Sequence, residues 1–382
     1  MANLHSHYFG ETQNMVRNTV KRFVDDHVIE HINAWEEANE FPRDLYKLAG
    51  DAGILGIGHP EEFGGSGGDI FCKVAASEEL MRSSSGGLVA SLGSIDIGLP
   101  PIAKWGSRQL KEKVLPEVLC GEKIIALAIT EPSGGSDVAN IKTRAVKDGD
   151  HYIVNGSKTF ITSGHRADYY TVAVRTGGDG YGGISLLMIE RDTPGFTRGK
   201  NLKKTGWWAS DTAELFFDDV RVPTSNLIGA ENAGFIAIMS NFEMERLSLC
   251  IMANMTSELA LEEALRYVKE REAFGRPIGK FQVTKHKLAE MATQLEASKT
   301  FTYSLANAMQ NGKSVLKEIA MAKNFATQTS DRITYDAVQI FGGMGYMRES
   351  KVERLARDNR ILSIGGGTYE IMNEVISKQL GL

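Results

Sequence analysis

Apolar residues recur at three- and four-residue spacing over 12–33 (Met15, Val20, Phe23, Val24, Val28, Ile29) and again over 43–55, which predicts two helical segments, the second opened by Pro42. Gly-rich turns such as PEEFGGSGGD (60–69) interrupt this first third, because glycine adopts backbone conformations that a Cβ resists. From about Gly121 the texture changes to short β-branched and aromatic runs: KIIALAIT, HYIVNGSKTFITSG, YYTVAVRT, GISLLMIE and AELFFDDVRVP. Each is bounded by Gly, Asp, Pro or Asn, as strands are. Near Asn232 helical periodicity returns and is expected to run to Leu382, with loops only around 274–281, 311–313, 342–346 and 365–368. The predicted class is α+β: an N-terminal helical domain (1–120), a middle β domain (121–232) and a C-terminal helical bundle (233–382). Repeats and low-complexity segments are absent, which removes solenoid and linker readings.

Composition narrows the function classes. A length of 382 residues suits two to three domains, and 42% hydrophobic with 24% charged residues is globular. A net charge of -5 offers no basic footprint for nucleic acid. Cys72, Cys120 and Cys250 are distant and odd in number, so neither a disulfide framework nor a zinc CxxC is expected. No apolar run of ~18 residues and no signal-type h-region occurs. The expectation is therefore a cytoplasmic protein without stable membrane insertion, and Glu11, Asp25 and Asp26 speak against a transit peptide.

Familiar chemical signatures are missing. There is no GxGxxG after an early strand, no GxxxxGK[ST] and no GxSxG elbow. His27 and His31 share a helical spacing but lack an HExxH or acidic company, and read as solvated or packed rather than metal-ligating. What remains is a set of segments in one order. ITEPSGGSDVANIKT (129–143) follows a strand with a hydroxyl-rich turn of free N–H groups, and TFITSG (159–164) presents an aromatic face and a hydroxyl. They are followed by AELFFDDVRVPTSNLIG (213–229), REAFGRPIGKFQ (271–282), QIFGGMGY (339–346) and IGGGTYEIM (364–372). On the helix starting near Ala233, Glu245 interrupts an apolar stripe of Phe235, Ile238, Met239, Phe242 and Leu249, while Glu243 lies toward its polar edge. From spacing alone, a buried ion pair with Arg246 is the commoner explanation of such an acid.

In their order these segments resemble the acyl-CoA dehydrogenase family along essentially the whole chain, and ERL (245–247) with GGTYEIMNE (366–374) is most similar to its long-chain branch. The resemblance implies a β-barrel or sandwich middle domain, a C-terminal four-helix bundle, bound FAD, and a homotetramer built as a dimer of dimers. It places Ile129, Thr130 and Ser136 around the flavin ring and pyrophosphate, and Phe160, Ile161 and Thr162 against the isoalloxazine, with Phe160 where many relatives have Trp. Arg271, Phe274 and Gln282 correspond to a neighbouring subunit's clamp on the adenosine end, where a guanidinium fork suits phosphate oxygens. Gln339, Gly342 and Gly343 correspond to the loop on the adenine half, and Thr368 with Glu370 to the stretch closing it.

The same resemblance implies removal of an α proton and a β hydride from an acyl-CoA thioester, giving a trans-2-enoyl-CoA, with electrons passed to an electron-transfer flavoprotein. Many members carry the base immediately before the GT of the C-terminal loop, where this chain has Gly366. The long-chain and isovaleryl branches carry it on the helix, before an Arg, as Glu245 and Arg246 stand here, so Glu245 is the expected base. Ser136, Phe242, Arg246, Gly366 and Gly367 are the expected substrate contacts, the Gly366 N–H facing the thioester carbonyl. Small residues at Gly93 and Ser94 would leave room for a longer or branched tail. An oxygen-reactive acyl-CoA oxidase and a flavin-retaining scaffold protein are the alternatives.

Overall fold

The computed structural model describes residues 4–382. Eight helices lead: α1 (Glu11–His27), α2 (Ile32–Ala38), α3 (Asp44–Asp51), α4 (Ile70–Met81), α5 (Gly86–Leu92), α6 (Ile95–Gly98), α7 (Pro100–Trp105) and α8 (Arg108–Leu119). The apolar stripe of α1 buries Val20, Phe23 and Val24 against α4. The periodicity over 12–33 is not one helix. It breaks where Val28 leaves helical geometry (φ -121°, ψ -51°) and restarts at Ile32. The second segment is shorter than 43–55, because the chain turns through Gly53 at φ 72°. Side-chain caps start three of these helices: Asp69 accepts from Cys72 N, Ser85 from Leu88 N and Ser107 from Leu110 N.

Eight strands follow: β1 (Ile125–Ala128), β2 (Arg144–Asp148), β3 (His151–Thr162), β4 (Tyr169–Arg175), β5 (Ile184–Glu190), β6 (Phe196–Arg198), β7 (Thr212–Pro223) and β8 (Leu227–Ile228). They form one path, β6-β7-β3-β2-β4-β5-β8, with β1 beside β4. The β2–β4 joint is a single residue pair, Arg144 with Arg175, so two four-stranded halves meet at a narrow seam. Both halves feed one core: Tyr152, Val154, Leu215 and Val220 from one, Val172, Val174 and Leu186 from the other.

Helix α9 (Gly234–Glu270) has no glycine after its first residue and no proline, and spans about 55 Å at 1.5 Å per residue. The short hairpin β9 (Glu272–Ala273) and β10 (Arg276–Pro277) turns the chain into α10 (Gln282–Gln310) and α11 (Leu316–Phe341). Two shorter helices, α12 (Lys351–Asn359) and α13 (Tyr369–Gln379), pack on α11. The three long helices form the bundle, with α4 laid against α9 and α10. Among the described residues no single helix is long and apolar enough to cross a membrane. The three cysteines are unpaired, His27 and His31 are exposed, and no His, Cys, Asp or Glu group there could hold a metal ion.

Candidate active site

A cavity of about 1110 Å³ opens between the leading helices, the sheet and α9, and the loop after α12 closes one wall. It brings together Thr130, Ser136, Phe160, Thr162, Glu245, Gly366, Gly367 and Thr368. Most of the remaining wall is apolar.

The β-side wall is built on a buried charge pair. Lys158 (0% exposed) lies on β3, and its Nζ donates to Glu131 Oε1 at 2.8 Å and to the Ile129 carbonyl at 2.9 Å. Glu131 also accepts from the amides of Lys142 (2.6 Å) and Thr143 (2.9 Å), which closes the 129–143 turn upon itself. Thr159 N donates to Thr130 O at 2.9 Å and ties that turn to the strand. Burial lowers the Lys158 ammonium to about 8, against the pull of Glu131. Burial works against the Glu131 carboxylate too, but Lys158 and the amides outweigh it and hold it below its ordinary value. Just beyond Lys158 on β3 the register with β7 shifts before Ile161, and Phe160 takes φ 59°. This bulge swings the Phe160 ring out of the sheet into the cavity, 69% exposed. Ile161 points the other way, into the core. Ile129 also packs on the core, so neither side chain lines the cavity.

On the opposite wall Glu245 projects from α9, whose lining face includes Asn241, Met244 and Ser248. It forms no ion pair with Arg246. Its Oε2 is buried without a hydrogen-bond partner, and burial raises its pKa against the opposing pull of Arg246 and Lys323. Arg246 instead stacks over the Phe242 ring and aims Nε at the Gly366 carbonyl, 3.4 Å away. Neither Phe242 nor Arg246 lines the cavity, and Glu243 stays outside it as well.

Gly366 adopts φ 64°, and a Cβ there would lie 3.5 Å from Glu245 Oε1 and 2.6 Å from Leu249 Cδ1. The carboxylate thus fills the space a side chain at 366 would enter. Lys323, 0% exposed on α11, donates from Nζ to the Gly367 carbonyl at 2.7 Å, and burial pushes it down to about 8. With both loop carbonyls turned to cations, the amides of Gly366 and Gly367 have no partner among the described residues. Two free donors beside one unpaired carboxylate can stabilise negative charge that forms as a proton is removed. Gly366→Ala is expected to cost ~1–2 kcal/mol for the left-handed backbone and to displace Leu249, read as a lower midpoint in thermal unfolding.

Other sequence candidates do not meet in this cavity. Arg271, Phe274 (95% exposed) and Gln282 lie on the surface around the β9–β10 hairpin, at the far end of α9. Gln339, Gly342, Gly343 and Glu370 are likewise exposed and outside it. The structure also adds residues that sequence reasoning missed. Trp207 lines the cavity at φ 56°, its N–H held by Asp358 Oδ1 at 2.6 Å. Lys323 was detectable by the logic that singled out Glu245, as a charge on the buried Ile319, Ala322 and Ala326 face of α11.

Comparison with known proteins covers the whole chain. Residues 10–122, 126–220 and 232–381 match the N-terminal, middle and C-terminal domains of acyl-CoA dehydrogenase. The long-chain specific acyl-CoA dehydrogenase of Sus scrofa mitochondria is 40% identical over 375 residues, 97% of this chain and 87% of that protein. The crystal structure of a probable acyl-CoA dehydrogenase from Mycobacterium abscessus superposes with a TM-score of 0.94 at 49% identity, covering 100% of each chain. A glutaryl-CoA dehydrogenase from Mycobacterium smegmatis, solved in complex with FADH2, gives a TM-score of 0.92 at 28% identity, over 98% of this chain and 95% of that one.

Proposed function

Because the chain belongs to the acyl-CoA dehydrogenase family of FAD-dependent oxidoreductases acting on acyl-CoA, we propose that it converts an acyl-CoA to its trans-2-enoyl-CoA with Glu245 as the base. The single observation that carries this reading is the unpaired Glu245 carboxylate lying beside the side-chain-free Gly366 in the cavity wall. The residues present suit the flavin: the exposed Phe160 ring offers a flat face, and Thr130, Ser136 and Thr162 offer hydroxyls. The amides of Gly135 and Ser136 have no partner among the described residues, and a Cβ at Gly134 would meet nothing within 4 Å, so a polar group can approach this turn closely.

FAD, when bound, accepts the hydride from the β carbon. The chain's own part is to hold the thioester and move the proton. The Gly366 and Gly367 amides donate to the thioester carbonyl, which acidifies the α carbon and receives the charge that develops. Glu245 takes the α proton. Its apolar surroundings keep the carboxylate basic, and Arg246 and Lys323 keep it ionisable. The apolar wall excludes water from the reacting carbons.

The exposure of Arg271, Phe274 and Gln282 supports a second part to the proposal: they serve the flavin site of a neighbouring subunit in a homotetramer, a dimer of dimers. Gln339, Gly342 and Gly343 contact the adenine half of FAD in this reading. An electron-transfer flavoprotein is the proposed acceptor, and the cytoplasm the proposed location. Anaerobic mixing of the flavoprotein with a panel of acyl-CoA thioesters tests the activity. Loss of the oxidised-flavin absorbance is the expected result, and an unchanged spectrum with every thioester would sink the reading. Reoxidation by an electron-transfer flavoprotein much faster than by air separates the dehydrogenase from an oxidase.

A further inference from the structure

Within the mostly apolar cavity one polar cluster has no part in the chemistry above. Lys73 of α4 and Asp96 of α6 pair at 2.6 Å from Nζ to Oδ1, and both line the cavity. His59, 4% exposed, also lines it. Its Nε2 sits 3.6 Å from the same Asp96 oxygen, within ion-pair range but too long for a hydrogen bond, and accepts or donates no other hydrogen bond among the described residues. Asp96 keeps 45% of its side chain open, and nothing among the described residues donates to its Oδ2. Lys73 Nζ has one partner and three protons. The Asn241 amide points to the Asp96 carbonyl at 3.5 Å, and Asn241 lies one helical turn from Glu245 on the same face of α9. The cluster and the base therefore line the same cavity and can address neighbouring stretches of one bound ligand.

A saturated tail laid against this group would strip water from a lysine–aspartate pair and return nothing. We propose, on the dehydrogenase reading above, that the acyl group oxidised here carries a hydroxyl beyond its reacting carbons, donating to Asp96 Oδ2 and accepting from Lys73. A hydroxyl is the smallest neutral group that matches one free acceptor and one free donor together. A carboxylate would face the Asp96 oxygen, an ammonium would face Lys73, and a ketone would leave Oδ2 without a donor.

The test is anaerobic flavin reduction by chain-length-matched acyl-CoAs: the alkyl parent, a series with the hydroxyl stepped along the chain, and the keto and terminal-carboxyl analogues. The best-placed hydroxyl is expected to raise kcat/KM at least about tenfold over its parent, with the keto and carboxyl analogues below it. Asp96→Asn, and separately the paired Lys73→Met with Asp96→Leu, are expected to shrink that ratio toward one. Equal or better turnover of the alkyl parent against every hydroxyl position overturns the inference and leaves the dehydrogenase reading standing. So does an equal loss for parent and hydroxylated substrate in the variants, which would assign the cluster to the thioester arm or to packing. Failure of every thioester to reduce the flavin overturns both.

Discussion

Glu245→Gln is expected to leave a folded flavoprotein whose flavin is reduced by acyl-CoA ~10³-fold or more slowly, since a positioned general base contributes about 10²–10⁴ in rate. The amide keeps the shape of the side chain and cannot accept the α proton. Stopped-flow bleaching of the flavin reads the effect, and normal bleaching in this variant would remove Glu245 from the mechanism. Glu243→Gln, outside the cavity, is expected to change the rate little. In the parent enzyme the reduction rate should climb with pH through a value above the ordinary carboxylate range, because burial raises the Glu245 pKa. Stability has the opposite sign. A carboxyl whose pKa folding raises costs stability once the pH exceeds its unfolded value, so the Gln variant should be no less stable at neutral pH. Lost activity without a lowered unfolding midpoint therefore isolates the chemical step.

Lys158→Met is expected to cost ~3–5 kcal/mol and to release the flavin, because it strands the Glu131 carboxylate in the core. The same change leaves the Thr159–Thr130 backbone bond as a remaining tie between the 129–143 turn and β3, so flavin content per chain should fall before the whole protein unfolds. Adding Glu131→Leu removes the stranded charge but leaves the Lys142 and Thr143 amides without their acceptor. The double variant should recover only part of the loss, at the cost of two unmet donors. Denaturant unfolding alongside flavin-to-protein ratios checks both statements. A single variant that binds flavin normally would show that the pair does not organise this wall.

The helix–strand–helix order was legible because periods of 3.6 and 2 are distinct over long stretches. Glu245 stood out because an acid on an apolar stripe is a local anomaly. The end of α1 was not legible, since Val28 and Ile29 continue the apolar spacing while the backbone turns. The Phe160 bulge was not legible either: it depends on the register with β7, some fifty residues downstream. His59, Lys73 and Asp96 come from three separate elements, and no local pattern unites them. Lys323 was legible by the same local anomaly, a charge among Ile319, Ala322 and Ala326 on the buried face of α11.

A Cβ at position 366 would stand 3.5 Å from Glu245 Oε1, so on the proposed mechanism an acid at either place along the chain would reach the same proton. A chain bearing acids at both would hold two carboxylates in contact and keep one protonated, while a chain bearing neither would bind its ligands and turn nothing over. Moving the acid from one place to the other in single substitutions would therefore pass through a doubly armed or an idle chain, and of the two only the doubly armed one keeps an acceptor for the proton.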